Sequence, residues 1–150
     1  MEILKREGIG KYVNRGKYNL ICMVGDSHVV KFKRFWGIEF KPFSEHEFQV
    51  AKALYNLGIS IPKPEGVFEI EHPKTRDIVP GFVMEYIPGK KVNINENNKI
   101  ELLLDEIKKV REYGFETIDV NIDNAIWCPE RRKIYLIDFE GWELPKGYKI

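Results

Sequence analysis

The first part of the chain alternates apolar and polar residues in short runs, as β-strands do. Two such runs, residues 18–24 and 28–35, flank Gly25-Asp26-Ser27, a turn sequence, so a β-hairpin is expected there. Two further runs cover residues 66–71 and 78–87, and a charged turn separates them. The pattern predicts a sheet in the first half of the chain.

Two segments predict helices. Ser44-Glu45-His46-Glu47 has the Ser-x-x-Glu form of a capping box, and the helix that it opens is expected to end near Gly58. The polar segment 89–98 is expected to be a linker. A second amphipathic helix then follows up to Gly114, with apolar residues at positions 100, 103, 104, 107 and 110.

The end of the chain predicts a second hairpin, with strands near 125–128 and 133–137. A turn over residues 129–132 puts Asn124 opposite Ile137, so Asn124 and Asp138 meet at the open end of the hairpin. Asp119 lies on the preceding loop. Carboxylate and amide oxygens together suit Mg²⁺ that carries phosphate. The alternative is that these polar residues only form loops or end a strand.

Lys31 lies inside an apolar strand run, where an unpaired ammonium group is costly. One alternative is that the aliphatic part of the Lys31 side chain extends to the surface, so that the ammonium group lies in solvent. Glu47 shares the inward face of the first helix with Val50 and Leu54, whereas Glu45 projects with the polar face. A Lys31–Glu47 pair is therefore available, and the alternative for Glu47 is the capping-box role.

Composition narrows the possible partners. The chain has 24 basic and 23 acidic residues, a net charge of +1, which argues against a dedicated nucleic-acid surface. Cys22 and Cys128 lie in apolar runs, as buried thiols in a reducing compartment do, and no Cys/His cluster has zinc-ligand spacing. The sequence has neither a signal-peptide stretch nor a transmembrane window, so we expect a cytoplasmic protein without a membrane partner.

Taken in order, the motifs resemble the protein-kinase-like superfamily and are most similar to RIO-type atypical kinases. The elements that carry the resemblance are the phosphate-covering loop at Gly16-Lys17, the lysine strand Val29-Val30-Lys31, its helix partner Glu47, the strand and hinge Phe82-Val83-Met84-Glu85-Tyr86-Ile87-Pro88-Gly89, the catalytic loop Asp119-x-x-x-x-Asn124 and the metal-binding triplet Asp138-Phe139-Glu140. The Asp-Phe-Glu form of that triplet is also that of choline-kinase-like enzymes.

The resemblance implies an α+β fold within a single kinase-like domain. Residues 1–88 would form a kinase-like N-lobe and hinge, with a five-stranded antiparallel sheet and one helix. Residues 89–150 would form a minimal, truncated C-lobe of one helix and a hairpin. ATP would bind between the two lobes.

The resemblance also implies a function: a Mg-ATP-binding atypical kinase, similar to Ser/Thr protein kinases, that transfers the γ-phosphate to a hydroxyl group on a protein or small molecule. In the mechanism that the resemblance implies, Lys31, held by Glu47, would contact the phosphates of ATP, and Gly16 and Lys17 would cover them. Met84, Glu85 and Ile87 would contact the adenine. Asn124 and Asp138 would bind Mg²⁺, and Asp119 would orient or deprotonate the acceptor.

Three departures from the family pattern favour an alternative. Thr117-Ile118 stands where the family has His-Arg or His-Gly, and Asn121 replaces a lysine or histidine that often assists the transferred phosphate. The chain ends nine residues after Gly141, before the family's acceptor platform, so that surface is expected either to be missing or to be supplied by a protein partner. The alternative functions are a catalytically silent nucleotide-binding regulator and an interaction module.

Overall fold

The computed structural model describes residues 5, 8–15, 19–33 and 43–148. Over these residues the protein is α+β, with antiparallel sheets and two α-helices. The chain divides into two units. The first contains the described residues up to Phe48 together with Pro64–Tyr86, and the second contains Gln49–Lys63 and the described residues from Ile87 onward.

The first unit is built on a five-stranded antiparallel sheet, as expected. Its strands are β1 (Tyr12–Arg15), β2 (Asn19–Val24), β3 (His28–Lys33), β4 (Pro64–Glu71) and β5 (Ile78–Glu85). Their order across the sheet is β1-β2-β3-β5-β4, so the β5–β4 hairpin lies beside β3. This order brings Lys31 next to Phe82 of β5.

The predicted hairpin of β2 and β3 is confirmed over its described residues. Val24 pairs with His28 across Gly25-Asp26-Ser27, and Gly25 has a φ of 65°, which glycine adopts without strain. Residues 18, 34 and 35 of the predicted strands lie outside the described residues. The turn therefore fixes the register that positions Lys31.

Strand alternation gives the two faces of β3 different surroundings. Val30 and Phe32 belong to a buried apolar cluster with Leu20, Cys22, Ile70 and Val79. Val29, Lys31 and Lys33 alternate with them and are also buried. The two lysines thus lie on the face of β3 opposite to this cluster.

The first helix, α1, spans Phe43–Asn56, so it ends close to the expected position. The capping-box prediction is wrong in its placement, because Ser44 lies inside the helix rather than before it. The Ser-x-x-Glu spacing also occurs within the first turns of a helix, where sequence spacing alone does not reveal the boundary.

The second unit contains α2 (Asn97–Glu112) and a three-stranded antiparallel sheet of β6 (Lys90–Lys91), β7 (Ala125–Cys128) and β8 (Lys133–Leu136). A 3₁₀ turn over Ile122–Asn124 precedes β7. The hairpin of β7 and β8 has the predicted register, with Cys128 opposite Lys133.

The expected linker at residues 89–98 is corrected by the structure. Within it, β6 pairs with β7, Lys90 opposite Trp127 and Lys91 opposite Ile126, and α2 begins at Asn97. Main-chain pairing needs no apolar alternation, so this polar strand carries no sequence signal. The second unit therefore has a third strand that the sequence did not reveal.

The core of the second unit forms where α2 and β8 meet. α2 buries Leu103, Ile107 and Val110, and Ile134 and Leu136 of β8 are also buried. Neither helix in the described part of the chain combines the length and apolar character needed to cross a membrane.

Candidate functional site

The predicted Lys31–Glu47 pair is present. Lys31 Nζ donates to Glu47 Oε2 at 3.0 Å. The two residues are only 6% and 3% exposed, so this ion pair is almost completely withdrawn from water. The alternative in which Lys31 extends to solvent is therefore excluded.

The helix face selects Glu47 as the partner. Glu47 shares the buried side of α1 with Val50 and Leu54, whereas Glu45 is exposed. Phe48 contacts Phe82 edge-on at 6.0 Å between ring centroids, which holds α1 against β5 beside Lys31. Removing two charges from water costs several kcal/mol per ion, so the pair is weak evidence for stability and stronger evidence for a role.

Two of the three residues predicted to contact adenine, Met84 and Glu85, lie at the end of β5. Met84 pairs with Val29 and is buried, and Glu85 pairs with His28. The Tyr86 N–H donates to the Ser27 carbonyl at 2.9 Å, which extends the contact between the β2–β3 turn and the end of β5. Ile87 belongs to the second unit, where it packs with Cys128 and Tyr135. Gly16 and Lys17 lie outside the described residues.

In the second unit, the hairpin brings the predicted polar residues to its open end. The Ile137 N–H donates to the Asn124 carbonyl at 2.9 Å, which confirms the predicted position of Asn124 opposite Ile137. Asp138 follows directly and is exposed. The β7–β8 register therefore carries Asn124 and Asp138 to the same end of one hairpin.

The loop that carries Asp119 is held by two asparagines. Asn124 Nδ2 donates to the Asp119 carbonyl at 2.7 Å, and Asn121 Nδ2 donates to the same oxygen at 3.3 Å. Asn121 Oδ1 accepts from the Asp123 N–H at 2.9 Å and so caps the 3₁₀ turn. Asn121 thus has a local structural role.

Both site aspartates have left-handed backbone conformations. The φ angle of Asp119 is 53° and that of Asp138 is 70°. Aspartate tolerates this region better than most residues, but a non-glycine residue there still carries strain. Such residues occur often at functional sites, and here the sequence-predicted acceptor and metal residues both have this conformation.

Contacts beyond Asp138 tie its segment to the Asp119 loop. Glu116 and Glu143 exchange main-chain hydrogen bonds of 3.1 and 2.9 Å. Trp142 Nε1 donates to the Ile118 carbonyl at 2.9 Å, and the Trp142 ring packs edge-on against Phe139. The Asp138 carboxylate accepts from the Glu140 N–H at 3.2 Å. These bonds fix the main chain on either side of both aspartates.

The donor chemistry of Asn124 and Asp138 fits a hard divalent cation. The bond from Asn124 Nδ2 to Asp119 commits the nitrogen, which makes Oδ1 the atom that can coordinate a cation. In the part of the chain that the structure describes, no three His, Cys, Asp or Glu side chains form a metal-ligand group. Mg²⁺ is usually bound by one or two carboxylates plus substrate phosphates, so this pair suits Mg²⁺ that arrives with a nucleotide.

Two features of the described residues, one in each unit, were not predicted. Lys33 is also buried, at 8% exposure, and the period of two from Lys31 could have indicated it. Gly141 has a φ of 85°, and a Cβ there would lie 2.3 Å from Ile118 Cδ1. Such a close approach depends on two distant segments, so the sequence carries no sign of it.

Comparison with known proteins adds no assignment. No protein-family model matches this sequence, and no curated protein matches it at a significant level.

Proposed function

We propose that this chain binds Mg-ATP and transfers the γ-phosphate to a hydroxyl acceptor, as an atypical kinase. The observation that carries the proposal is the buried Lys31–Glu47 pair, 3.0 Å between Nζ and Oε2. A buried ion pair contributes little to stability, so its role is sought elsewhere. A lysine that is held in one position by a strand and a helix is suited to bind phosphate.

In this proposal Lys31 supplies a positive charge to the phosphates, and Glu47 holds the Lys31 ammonium group in position. The ammonium group would bind the α- and β-phosphate oxygens of ATP, and the Glu47 carboxylate would keep it in one orientation. Low solvent exposure strengthens the attraction between ammonium and phosphate, because water screens it less. The main chain at Glu85 and Ile87 is assigned to the adenine.

Asn124 and Asp138 are the residues that would hold Mg²⁺. The bound ion would neutralise charge on the phosphate oxygens. The Asp138 carboxylate contributes a negative ligand that is oriented by the Glu140 N–H, and Asn124 contributes Oδ1. The hairpin register keeps both on the same end of β7 and β8.

Asp119 is assigned to the acceptor. Its carboxylate would orient the attacking hydroxyl and accept the hydroxyl proton, while the oxygen attacks the γ-phosphorus and ADP leaves. The loop bonds that Asn121 and Asn124 donate to its carbonyl would keep the carboxylate in place.

The second candidate is a regulator that binds Mg-ATP without transfer. The observation in its favour is Asn121, which caps a 3₁₀ turn at a position where the kinases that the sequence resembles often have a cationic residue toward the transferred phosphate. Both candidates share the nucleotide site and differ only in the chemical step.

A binding titration tests whether the chain binds nucleotide. We expect Mg-ATP to raise the melting temperature and to give a saturable calorimetric isotherm, since a ligand at 100 times its Kd stabilises a fold by about 2.7 kcal/mol. Lys31→Met and Asp138→Asn should each remove most of this effect, because the proposal assigns Lys31 to the phosphates and Asp138 to the metal ion. An unchanged melting temperature and a flat isotherm in the wild type would contradict both candidates.

Incubation with γ-labelled ATP, alone and with candidate acceptors, then distinguishes the two. Label on an acceptor or on the chain itself supports the kinase. Saturable Mg-ATP binding without any label transfer supports the regulator.

A further inference from the structure

A cavity of about 390 Å³ lies in the second unit, between α2 and the β7–β8 turn. Its volume is within the range of small-ligand pockets, which is roughly 300–1,000 Å³. Leu102 of α2 and Ile134 of β8 supply apolar lining, and Leu102 is 42% exposed. None of the residues assigned to nucleotide, metal or acceptor lines it.

Acidic groups that line this cavity are largely neutralised by neighbours on α2. Glu106 accepts hydrogen bonds from Lys109 Nζ at 2.9 Å and from the Ser60 N–H at 3.2 Å. The Glu106 carboxylate raises the pKa of Lys109, as expected for a formed pair. Lys108 Nζ lies 4.0 Å from Glu112 Oε1. Asp105 is the remaining acidic lining group.

The β7–β8 turn presents two further cations to the cavity. Arg132 and Lys133 both line it, and within the described part of the chain neither forms an ion pair. Arg131, the residue before them, is different: its guanidinium donates to the Tyr135 hydroxyl at 3.2 Å and stacks over that ring. Three consecutive basic residues thus divide into one that packs on the fold and two that face the cavity.

The main chain at Arg132 also has an unusual conformation. Arg132 has a φ of 54°, in the left-handed region that glycine and asparagine prefer at such turns. An arginine there stores strain that a glycine or asparagine would relieve. The turn therefore has Arg132, which brings a charge to the cavity, in place of the glycine or asparagine that its conformation favours.

We infer that this cavity binds a small organic anion, with one phosphate or carboxylate group on Arg132 and Lys133 and an apolar body against Leu102 and Ile134. Arginine and lysine donate charge-assisted hydrogen bonds to both head groups. Asp105 lines the same cavity and repels a second anionic group, so the site selects ligands with a single anionic head. This binding site is independent of the proposed Mg-ATP site.

The test is a ¹⁵N-NMR titration with phenyl phosphate, benzoate and the uncharged benzyl alcohol. Phenyl phosphate or benzoate should shift the amide signals of Leu102, Arg132 and Lys133, and benzyl alcohol should shift them far less. The stronger of the two anions identifies the head group.

Arg132→Asn and Arg131→Asn are matched variants that remove the same charge at adjacent positions. Arg132→Asn should weaken anion binding about tenfold, the loss of roughly one charge-assisted hydrogen bond, and should keep or raise the melting temperature. Arg131→Asn should change the affinity less than twofold. Equal effects of the two substitutions, shifts confined to other residues, or equal binding of benzyl alcohol would each overturn the inference.

Discussion

The side-chain nitrogen of Asn124 donates a 2.7 Å hydrogen bond to the main-chain carbonyl of Asp119. The carbonyl of Asn124 in turn accepts from Ile137, the residue before Asp138. One asparagine therefore links the loop of the proposed acceptor residue to the strand that leads to the proposed metal residue. The same bonds leave Oδ1 of Asn124 as its coordinating atom.

Glu47→Gln should reduce both stability and Mg-ATP affinity. The substitution removes the carboxylate charge that faces the buried Lys31 ammonium group, which should lower the free energy of unfolding by about 3 kcal/mol. Denaturant unfolding and isothermal calorimetry provide the two measurements. Glu45→Gln, on the exposed side of the same helix, is the control and should change stability by less than about 0.5 kcal/mol. Equal losses in the two variants would contradict the assignment of Glu47.

Asp138→Asn should remove the contribution of magnesium to nucleotide binding. Asparagine tolerates the φ of 70°, so the main chain is preserved while the anionic ligand is lost. Affinity measured with Mg-ATP should fall by about tenfold or more and approach the affinity for ATP in EDTA. Asp123→Asn removes the same charge from an exposed position in the neighbouring 3₁₀ turn and should retain magnesium dependence. Loss of that dependence in both variants would point to a general charge effect.

Asp119→Asn should separate transfer from binding. The φ of 53° again suits asparagine, so the loop should remain intact while the group that accepts the proton is lost. We expect an unchanged Kd for Mg-ATP and a decrease of roughly 10²–10⁴-fold in label transfer. The measurement compares initial rates of transfer from γ-labelled ATP with calorimetric affinities. Undiminished transfer would refute the assignment of Asp119 as the acceptor residue.

Gly89→Ala should destabilise the second unit through β6. A Cβ at this position would lie 2.4 Å from Ile126 Cγ2 and 2.5 Å from the Trp127 carbonyl oxygen, and the latter atom is main chain. Relief requires β6 to separate from β7, so the free energy of unfolding should fall by about 2 kcal/mol. Gly147→Ala is the comparison, because a Cβ there meets no atom within 4 Å and its φ of 79° adds only backbone strain of about 1 kcal/mol. If Gly89→Ala is no less stable than Gly147→Ala, the pairing of β6 is not required.

Short segments of the sequence were sufficient to predict the registers of two hairpins and the partner of Lys31. Gly25-Asp26-Ser27 set the register of β2 and β3, and the turn at 129–132 set that of β7 and β8, because a hairpin's register follows from its turn. Helical periodicity alone chose Glu47 over Glu45, since residues three, four and seven apart share a face.

The tertiary structure decided the features that depend on distant segments. β6 forms because Lys90 and Lys91 meet β7 through main-chain bonds, for which no side-chain pattern exists. The left-handed conformations of Asp119 and Asp138 occur in segments that long-range main-chain bonds hold together, such as those between Glu116 and Glu143. The cavity at Arg132 requires α2 to lie beside the β7–β8 turn. A sequence encodes short-range periodicity directly, whereas contacts between distant residues arise only when the whole chain packs.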